Sequence, residues 1–232
     1  MTAEFDKFAN DYDKLVSNNI KASGYDPTYF DEHKIREVHR RCGEEYKGTF
    51  SFLNFGCGIG KSEKFIRKYF PLCSIHSVDV SPESLKVAKE KNKNIRDITF
   101  YHFEDVTEFN PGMKFEIIFV ANVFHHIPET LHEITLIRLN SLLSPNGKLF
   151  IFEHNPLNPL TRRAFNTCEF DHGCKMISSG RLRCLIGKAG FNKVEINYTL
   201  FFPKILQRLT FLEKYMTSLP IGAQYYAVCR NV

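Results

Sequence analysis

The 232-residue chain contains no tryptophan, although it has 22 Phe and 10 Tyr, so its aromatic bulk is carried by smaller rings suited to a core. No run approaches the ~18 apolar residues of a transmembrane helix, which excludes a membrane span of that kind. The first residues, Met1-Thr2-Ala3-Glu4-Phe5-Asp6, lack a basic stretch leading into an apolar one. No secretory signal is therefore expected, and the chain reads as cytoplasmic. Its seven cysteines are odd in number and irregularly spaced, unlike a secreted disulfide scaffold. Cys168 and Cys174 flank His172, but no Cys-x2-Cys pair or second ligand pair accompanies them, so no metal is expected. The net charge of +5 is mild and forms no basic stripe, so nucleic acid is not expected as a partner.

What is present is a globular composition, 43% hydrophobic against 25% charged. The length suits one α/β domain or two small ones. Residues 1–47 are polar and helical in pattern. Phe5, Phe8, Ala9 and Tyr12 share one face of a short helix, and a second helix is predicted over about Tyr29 to Glu45. From residue 48 the texture becomes an alternation. Strands are predicted at Phe50–Phe55, Ser74–Val80, Ile98–Phe103, Phe115–Ala121 and Lys148–Glu153, separated by helical stretches. Ser81-Pro82 caps one helix, another runs from about Pro128 to Leu143, and Asn146-Gly147 turns into the fifth strand. A helix near Ser179–Ala189 and strands at Lys193–Thr199 and Gln224–Cys229 complete the chain. Such alternation predicts a mostly parallel sheet with helices on both faces, formed by a single domain over residues 1–232. Within it, 1–47 form a helical cap, 48–153 the core, and 154–232 later additions.

The chemistry concentrates where strands end. Gly56, Gly58 and Gly60 follow the first strand, where glycines permit a tight turn and close approach of a ligand, with N–H groups of the following helix available to its polar end. Asp79 ends the second strand, placed to accept from two vicinal ribose hydroxyls. Asp105 follows the third and can accept from an adenine amino group, with Glu104 competing by adjacency. The spacing departs from the dinucleotide fingerprint Gly-x-Gly-x-x-Gly. A phosphate loop ending in Gly60-Lys61-Ser62 would need a glycine at Phe55, so nucleotide hydrolysis fails its own spacing test.

Five motifs in order carry a family resemblance over residues 49–153. Leu53-Asn54-Phe55-Gly56-Cys57-Gly58-Ile59-Gly60 resembles the first motif of class I S-adenosylmethionine-dependent methyltransferases. Val78-Asp79-Val80-Ser81-Pro82-Glu83 is similar to the second and Phe103-Glu104-Asp105-Val106 to the third. The run from Phe115 through Asn122, Phe124, His125 and His126 to Pro128 resembles the fourth strand and its loop, and Leu142 to Leu149 the approach to the fifth. The resemblance implies a three-layer α/β Rossmann-like fold, a seven-stranded sheet with its last strand antiparallel, and S-adenosylmethionine as cofactor. It implies cofactor contacts from Asn54, Gly56, Cys57, Gly58, Gly60, Asp79, Val80, Glu104, Asp105, Asn122 and Phe124, with Tyr12 in an amino-terminal lid. Asn54 departs from the family, which often has an acidic residue there, and Glu116 replaces a more usual Asp.

Methyl transfer needs alignment, exclusion of water and sometimes a base, so no catalytic triad is required. His126, Glu153 and His154 are the catalytic candidates at the ends of the fourth and fifth strands, either as base or as acceptor contact. A metal held by these three has no support in their spacing. His125 and His126 equally suit loop stabilisation, and Asn155-Pro156 with Asn158-Pro159 suit a rigid turn tied by His154. Arg162 and Arg163 suit either an anion contact or an exposed surface. The apolar segment 201–222 suits a pocket cover, a lipid-like acceptor, a homodimer contact or a peripheral membrane contact. The carboxyl-terminal pattern also resembles bacterial members linked to surface-polysaccharide or lipid modification. The expected reaction is methyl transfer to a small-molecule, sugar-linked or lipid-linked acceptor, on oxygen. The alternatives are a degenerate, non-catalytic binder of S-adenosylmethionine or S-adenosylhomocysteine, and a protein or N-methyltransferase.

Overall fold

The computed structural model describes residues 23–231, and the predicted helix bearing Tyr12 lies outside them. Seven strands form one sheet: β1 (Ser51–Phe55), β2 (Ser74–Asp79), β3 (Ile98–His102), β4 (Phe115–Ala121), β5 (Leu143–His154), β6 (Lys193–Thr199) and β7 (Gln224–Arg230). Their order is β3-β2-β1-β4-β5-β7-β6. Strands β1 to β5 pair in parallel, whereas β7 runs antiparallel to both β5 and β6. The order reverses at β1, whose neighbours are β2 and β4, and open α/β sheets place ligands outside the carboxyl ends of the strands at such a reversal.

The near-continuous apolar strands are explained by their alternation. Phe52, Ile117, Phe119, Phe150, Phe152 and Tyr226 face one core with Ile35, Val38, Phe65 and Ile66, from helices α1 (Pro27–Cys42) and α2 (Glu63–Tyr69). Leu53, Phe55, Ile118, Val120, Leu149 and Ile151 face the other with Leu136, Leu139, Leu182 and Ile186. The latter come from α4 (His132–Leu142) and α6 (Ser179–Lys188), while α3 (Pro82–Lys91) links β2 to β3. Each large apolar side chain buried this way is worth about 1.5–3 kcal/mol, so a one-residue slip in register would exchange the two faces at heavy cost. The result is the three-layer fold expected.

Boundaries shift where local chemistry was misread. The predicted fifth strand begins earlier, at Leu143, because residues 144–147 bulge between the pairs Phe115–Leu143 and Ile117–Lys148, with Asn146 at φ 65°. The helix predicted from Pro128 splits into a 3-10 turn, Glu129–Leu131, and α4. The stretch read as a rigid turn holds a helix, α5 (Pro159–Asn166), because Asn158 Oδ1 accepts from Thr161 N at 3.0 Å and Pro159 occupies its first turn. Residues 204–216 form a 3-10 stretch, Lys204–Leu212, followed by α7 (Glu213–Met216).

Candidate functional site

A cavity of about 730 Å³ opens at the carboxyl ends of β1, β2 and β4. The turn after β1 forms its floor. Gly56 has φ 73°, and a Cβ there would meet Val123 Cγ2 at 2.4 Å. Gly58 has φ 53°, but a Cβ there would meet nothing within 4 Å, so its open side belongs to the cavity. Cys57, also expected in the site, lines the wall with them. Gly60 does not. A Cβ on it would meet Asn92 Nδ2 at 2.5 Å and Ala88 Cβ at 2.8 Å, so this third glycine serves packing against α3. The turn's own N–H groups are engaged within the protein. Gly56 N and Cys57 N donate to Val78 O, Gly60 N to Cys57 O, and Gly58 N to Asp79 Oδ2 at 2.7 Å. These four amides are spent within the protein, and the turn meets a ligand through its missing side chains.

Asp79 sits at the cavity wall with 9% exposure. Burial raises its carboxyl above the ordinary value, opposed by donation from Ser81 N (2.9 Å) and Gly58 N. These backbone donors leave lone pairs for hydroxyls. The helix cap is Ser81, whose Oγ accepts from Ser84 N at 3.0 Å. Val80, Glu104 and Asp105 line the same wall beside Phe103 and Val106. Phe103 stacks on Phe55 with centroids 5.5 Å apart. Asp105 Oδ1 accepts from Thr107 N and Oγ1, which lowers its carboxyl. Opposite, Asn122 has φ 57°, and its buried Oδ1 has no hydrogen-bond partner.

Asn54 reaches the cavity, but its Nδ2 donates to Glu63 Oε1 at 2.9 Å, where Ser77 Oγ also donates. Glu63 is fully buried, and burial raises its carboxyl. The acidic group absent at Asn54 therefore stands directly behind it.

Sequence reading missed the contribution of α1. Asp26 Oδ1 accepts from Thr28 N at 2.8 Å with Pro27 at the first turn, an N-cap worth ~1 kcal/mol that fixes where the helix starts. Asp31 and Lys34, one turn apart, both reach the cavity with Lys61. Lys34 is only 4% exposed, and burial lowers its pKa. Its hydrogen bond is a long one, 3.5 Å to Phe30 O. The Asp-Pro cap and the i, i+3 charge spacing were the available signals.

The catalytic candidates divide. His126 lines the cavity. Glu153 and His154 do not reach it among the described residues, because Glu153 turns into the protein. Glu153 Oε1 accepts from Phe124 N at 2.8 Å, and its Oε2 lies 2.6 Å from His125 Nδ1. Burial works against the charged form of His125, but Glu153 and Asp171 outweigh it and raise this imidazole to about 9. Burial and the neighbouring His125 push His126 down to about 3 and His154 to about 4. Phe124, expected beside the cofactor, is fully buried instead, with its ring edge-on to His132 at 5.6 Å. Its neighbour Val123 takes the wall position. Arg162 and Arg163 are exposed. No residue of 201–222 lines the cavity, so that segment is not its cover in the described structure.

Residues 53–149 match the family described as a methyltransferase domain. Over 103 residues the chain is 34% identical to malonyl-[acyl-carrier protein] O-methyltransferase 1 of Ilyobacter polytropus, covering 44% of this chain and 37% of that protein. Over 99 residues it is 33% identical to trans-aconitate 2-methyltransferase of an Enterobacter species, covering 43% and 37%. The chain thus spans well under half the length of these relatives. Among solved structures it superposes on the plantazolicin methyltransferase BpumL in complex with SAH, with a TM-score of 0.66, 16% identity, and coverage of 98% of this chain and 94% of that one. The fold is the class I, Rossmann-like fold seen in S-adenosylmethionine-dependent methyltransferases. The cavity fits S-adenosylmethionine: a side-chain-free cradle at Gly58, a carboxylate with spare lone pairs at Asp79, and an orphaned acceptor at Asn122. No helix among the described residues is long and apolar enough to cross a membrane.

Proposed function

We propose that the whole chain forms one methyltransferase domain that moves a methyl group from S-adenosylmethionine to an oxygen of a small-molecule, sugar-linked or lipid-linked acceptor. The observation that carries this reading is one cavity shared by the Gly56–Gly58 turn, Asp79, Asp105 and Asn122. The cofactor supplies an electrophilic methyl on a sulfonium, already activated for displacement. In this reading Asp79 accepts from the two ribose hydroxyls, which its backbone donors hold it in place to do. Asp105 or Glu104 accepts from the adenine amino group, and Phe103 and Val106 pack its ring. Asn54 offers Oδ1 to the methionine ammonium, its Nδ2 being committed to Glu63.

The receiving atom is an acidic oxygen, a carboxylate or phosphate. Lys34 supports this: a buried ammonium beside the cavity, with one long hydrogen bond, favours an anion as partner. The malonyl and aconitate groups named for the relatives are carboxylic acids. Such an oxygen is already nucleophilic and needs orientation and exclusion of water rather than a base. A lipid-linked acceptor is favoured by a separate observation, the exposed Ile205, Phe211, Tyr215 and Ile221 of 201–222, which also suit a second copy or a membrane surface. The bacterial surface-polysaccharide or lipid pathways suggested by the carboxyl-terminal pattern would supply acceptors of this kind.

Calorimetry with S-adenosylmethionine tests the first step, and transfer of a labelled methyl to short dicarboxylates and to prenyl phosphate tests the second. Micromolar cofactor binding, with label in a base-labile carboxylate methyl ester or in a base-stable methyl phosphodiester, supports the reading. Tight binding with no transfer to any acid favours the non-catalytic alternative, and label on nitrogen favours an N-methyltransferase.

A further inference from the structure

Beside the cavity, two segments far apart in sequence bring two histidines and a carboxylate to one point. His125 and His126 lie on the 3-10 turn after β4, and Asp171 ends a second 3-10 turn, Glu169–Asp171. His125 Nε2 is 3.4 Å from Asp171 Oδ1, and His126 Nε2 is 3.5 Å from the same oxygen. One ligand atom from each of the three residues lies within 4.8 Å of the others. Ordinary N–H···O bonds run about 2.7–3.2 Å, so these separations are long for hydrogen bonds. They suit a different object. Two ligand atoms each about 2.1 Å from a tetrahedral ion are about 3.4 Å apart.

We propose that His125 Nε2, His126 Nε2 and Asp171 Oδ1 hold a divalent cation of zinc-like, borderline character. Two imidazoles and one carboxylate are a donor set that such ions take, with a coordination position left for water or substrate. The surroundings fit a ligand role. Metal-bound histidines usually donate their other ring N–H to a carboxylate, and His125 Nδ1 lies 2.6 Å from Glu153 Oε2. That bond fixes the tautomer and leaves Nε2 as the lone-pair atom. Glu153 is itself held by Phe124 N, and His126 Nδ1 meets Cys174 Sγ at 3.2 Å. The two carboxylates, Glu153 fully buried and Asp171 with 10% side-chain exposure, carry charge that one divalent ion balances while all the imidazoles stay neutral. The site ties Glu169–Asp171 to the ends of β4 and β5, a set that no single element's spacing would reveal. Because His126 also lines the cavity, the ion stands at its wall.

The test uses the full chain stripped with chelator and titrated with cobalt(II) alone, read by its visible d–d absorption, then back-titrated with zinc(II). One saturable site per chain, displaced by zinc, is expected. Asp171→Asn and His126→Gln should each weaken cobalt binding at least ~100-fold, and Glu153→Gln about 10–100-fold through its hold on His125. His172→Gln, at an exposed neighbour, should leave the affinity unchanged. Should a variant fail to fold, the wild-type imidazole NMR signals decide instead: zinc must shift two ring systems bound through Nε2. Absence of a saturable cobalt signal, equal affinity in Asp171→Asn, or imidazole signals untouched by zinc would overturn the proposal. Calorimetry of the stripped protein with S-adenosylmethionine stands apart from these readouts, so failure here leaves the methyl-transfer reading standing, and the converse.

Discussion

The two sides of the cavity are built differently. On the β1–β2 side the functional atoms come from short, contiguous stretches, the turn at 56–58 and the carboxylate of Asp79, locked together by backbone hydrogen bonds. Behind the β4–β5 side, where His126 lines the cavity, residues 125–126, 153, 171 and 174 form a network in which side chains hold side chains, and Lys34 reaches the cavity from α1. The first arrangement is written in backbone geometry and tolerates few substitutions at few places. The second is a buried electrostatic network, in which removing one member leaves another charge without its partner.

The sharpest test of that contrast is Glu153→Ala. It would strand His125 and the Phe124 N–H, and should cost about 3–5 kcal/mol of unfolding free energy in urea titration. A loss under ~1 kcal/mol would mean the network is not coupled as drawn. Next, Asp79→Ala should weaken S-adenosylmethionine binding roughly 100-fold by calorimetry, two charge-assisted bonds being removed. Unchanged affinity would remove Asp79 from the ribose role. Gly60→Ala should destabilise the fold by about 2 kcal/mol in the same urea titration, because φ 72° and the contacts to Ala88 and Asn92 leave no room for a methyl. Gly58→Ala, with open space before it, should cost cofactor affinity more than stability, and the reverse ranking would contradict the division of labour between these glycines.

A smaller effect is expected at Lys34. Lys34→Met should raise KM for an acidic acceptor about tenfold while leaving cofactor affinity nearly unchanged, as measured by steady-state kinetics. The sign of its pH dependence follows from burial. Lys34 carries its charge below its depressed pKa and loses it as pH rises through that value, so KM should climb with pH in the wild type and stay flat in the variant. Smallest of all, replacing exposed Arg162 and Arg163 with alanine should change stability and turnover by less than ~0.5 kcal/mol equivalent. A large loss there would restore them as anion contacts.

How far each part was legible follows the same line. The strand Phe115–Ala121 and the strand Lys193–Thr199 were read to the residue, because buried β runs and their flanking turns are local signals. Ser81-Pro82 was read as a helix start for the same reason. Phe124 was misplaced because its motif position shows it beside the ligand, while only packing shows which of Val123 and Phe124 turns inward. Glu153 was misread as an acceptor contact because sequence gives the strand end and not the direction of its carboxylate.

The linear pattern alone therefore determined the α/β alternation, the glycine turn and the carboxylate positions at 79 and 105, since each depends on residues within a few positions of one another. Tertiary structure alone decided that Glu63 stands behind Asn54, that Lys34 reaches the cavity, and that Asp171 meets His125 and His126. Those meetings depend on how helices and loops dock on the sheet, and docking is fixed by packing summed over the whole core rather than by any local run of residues.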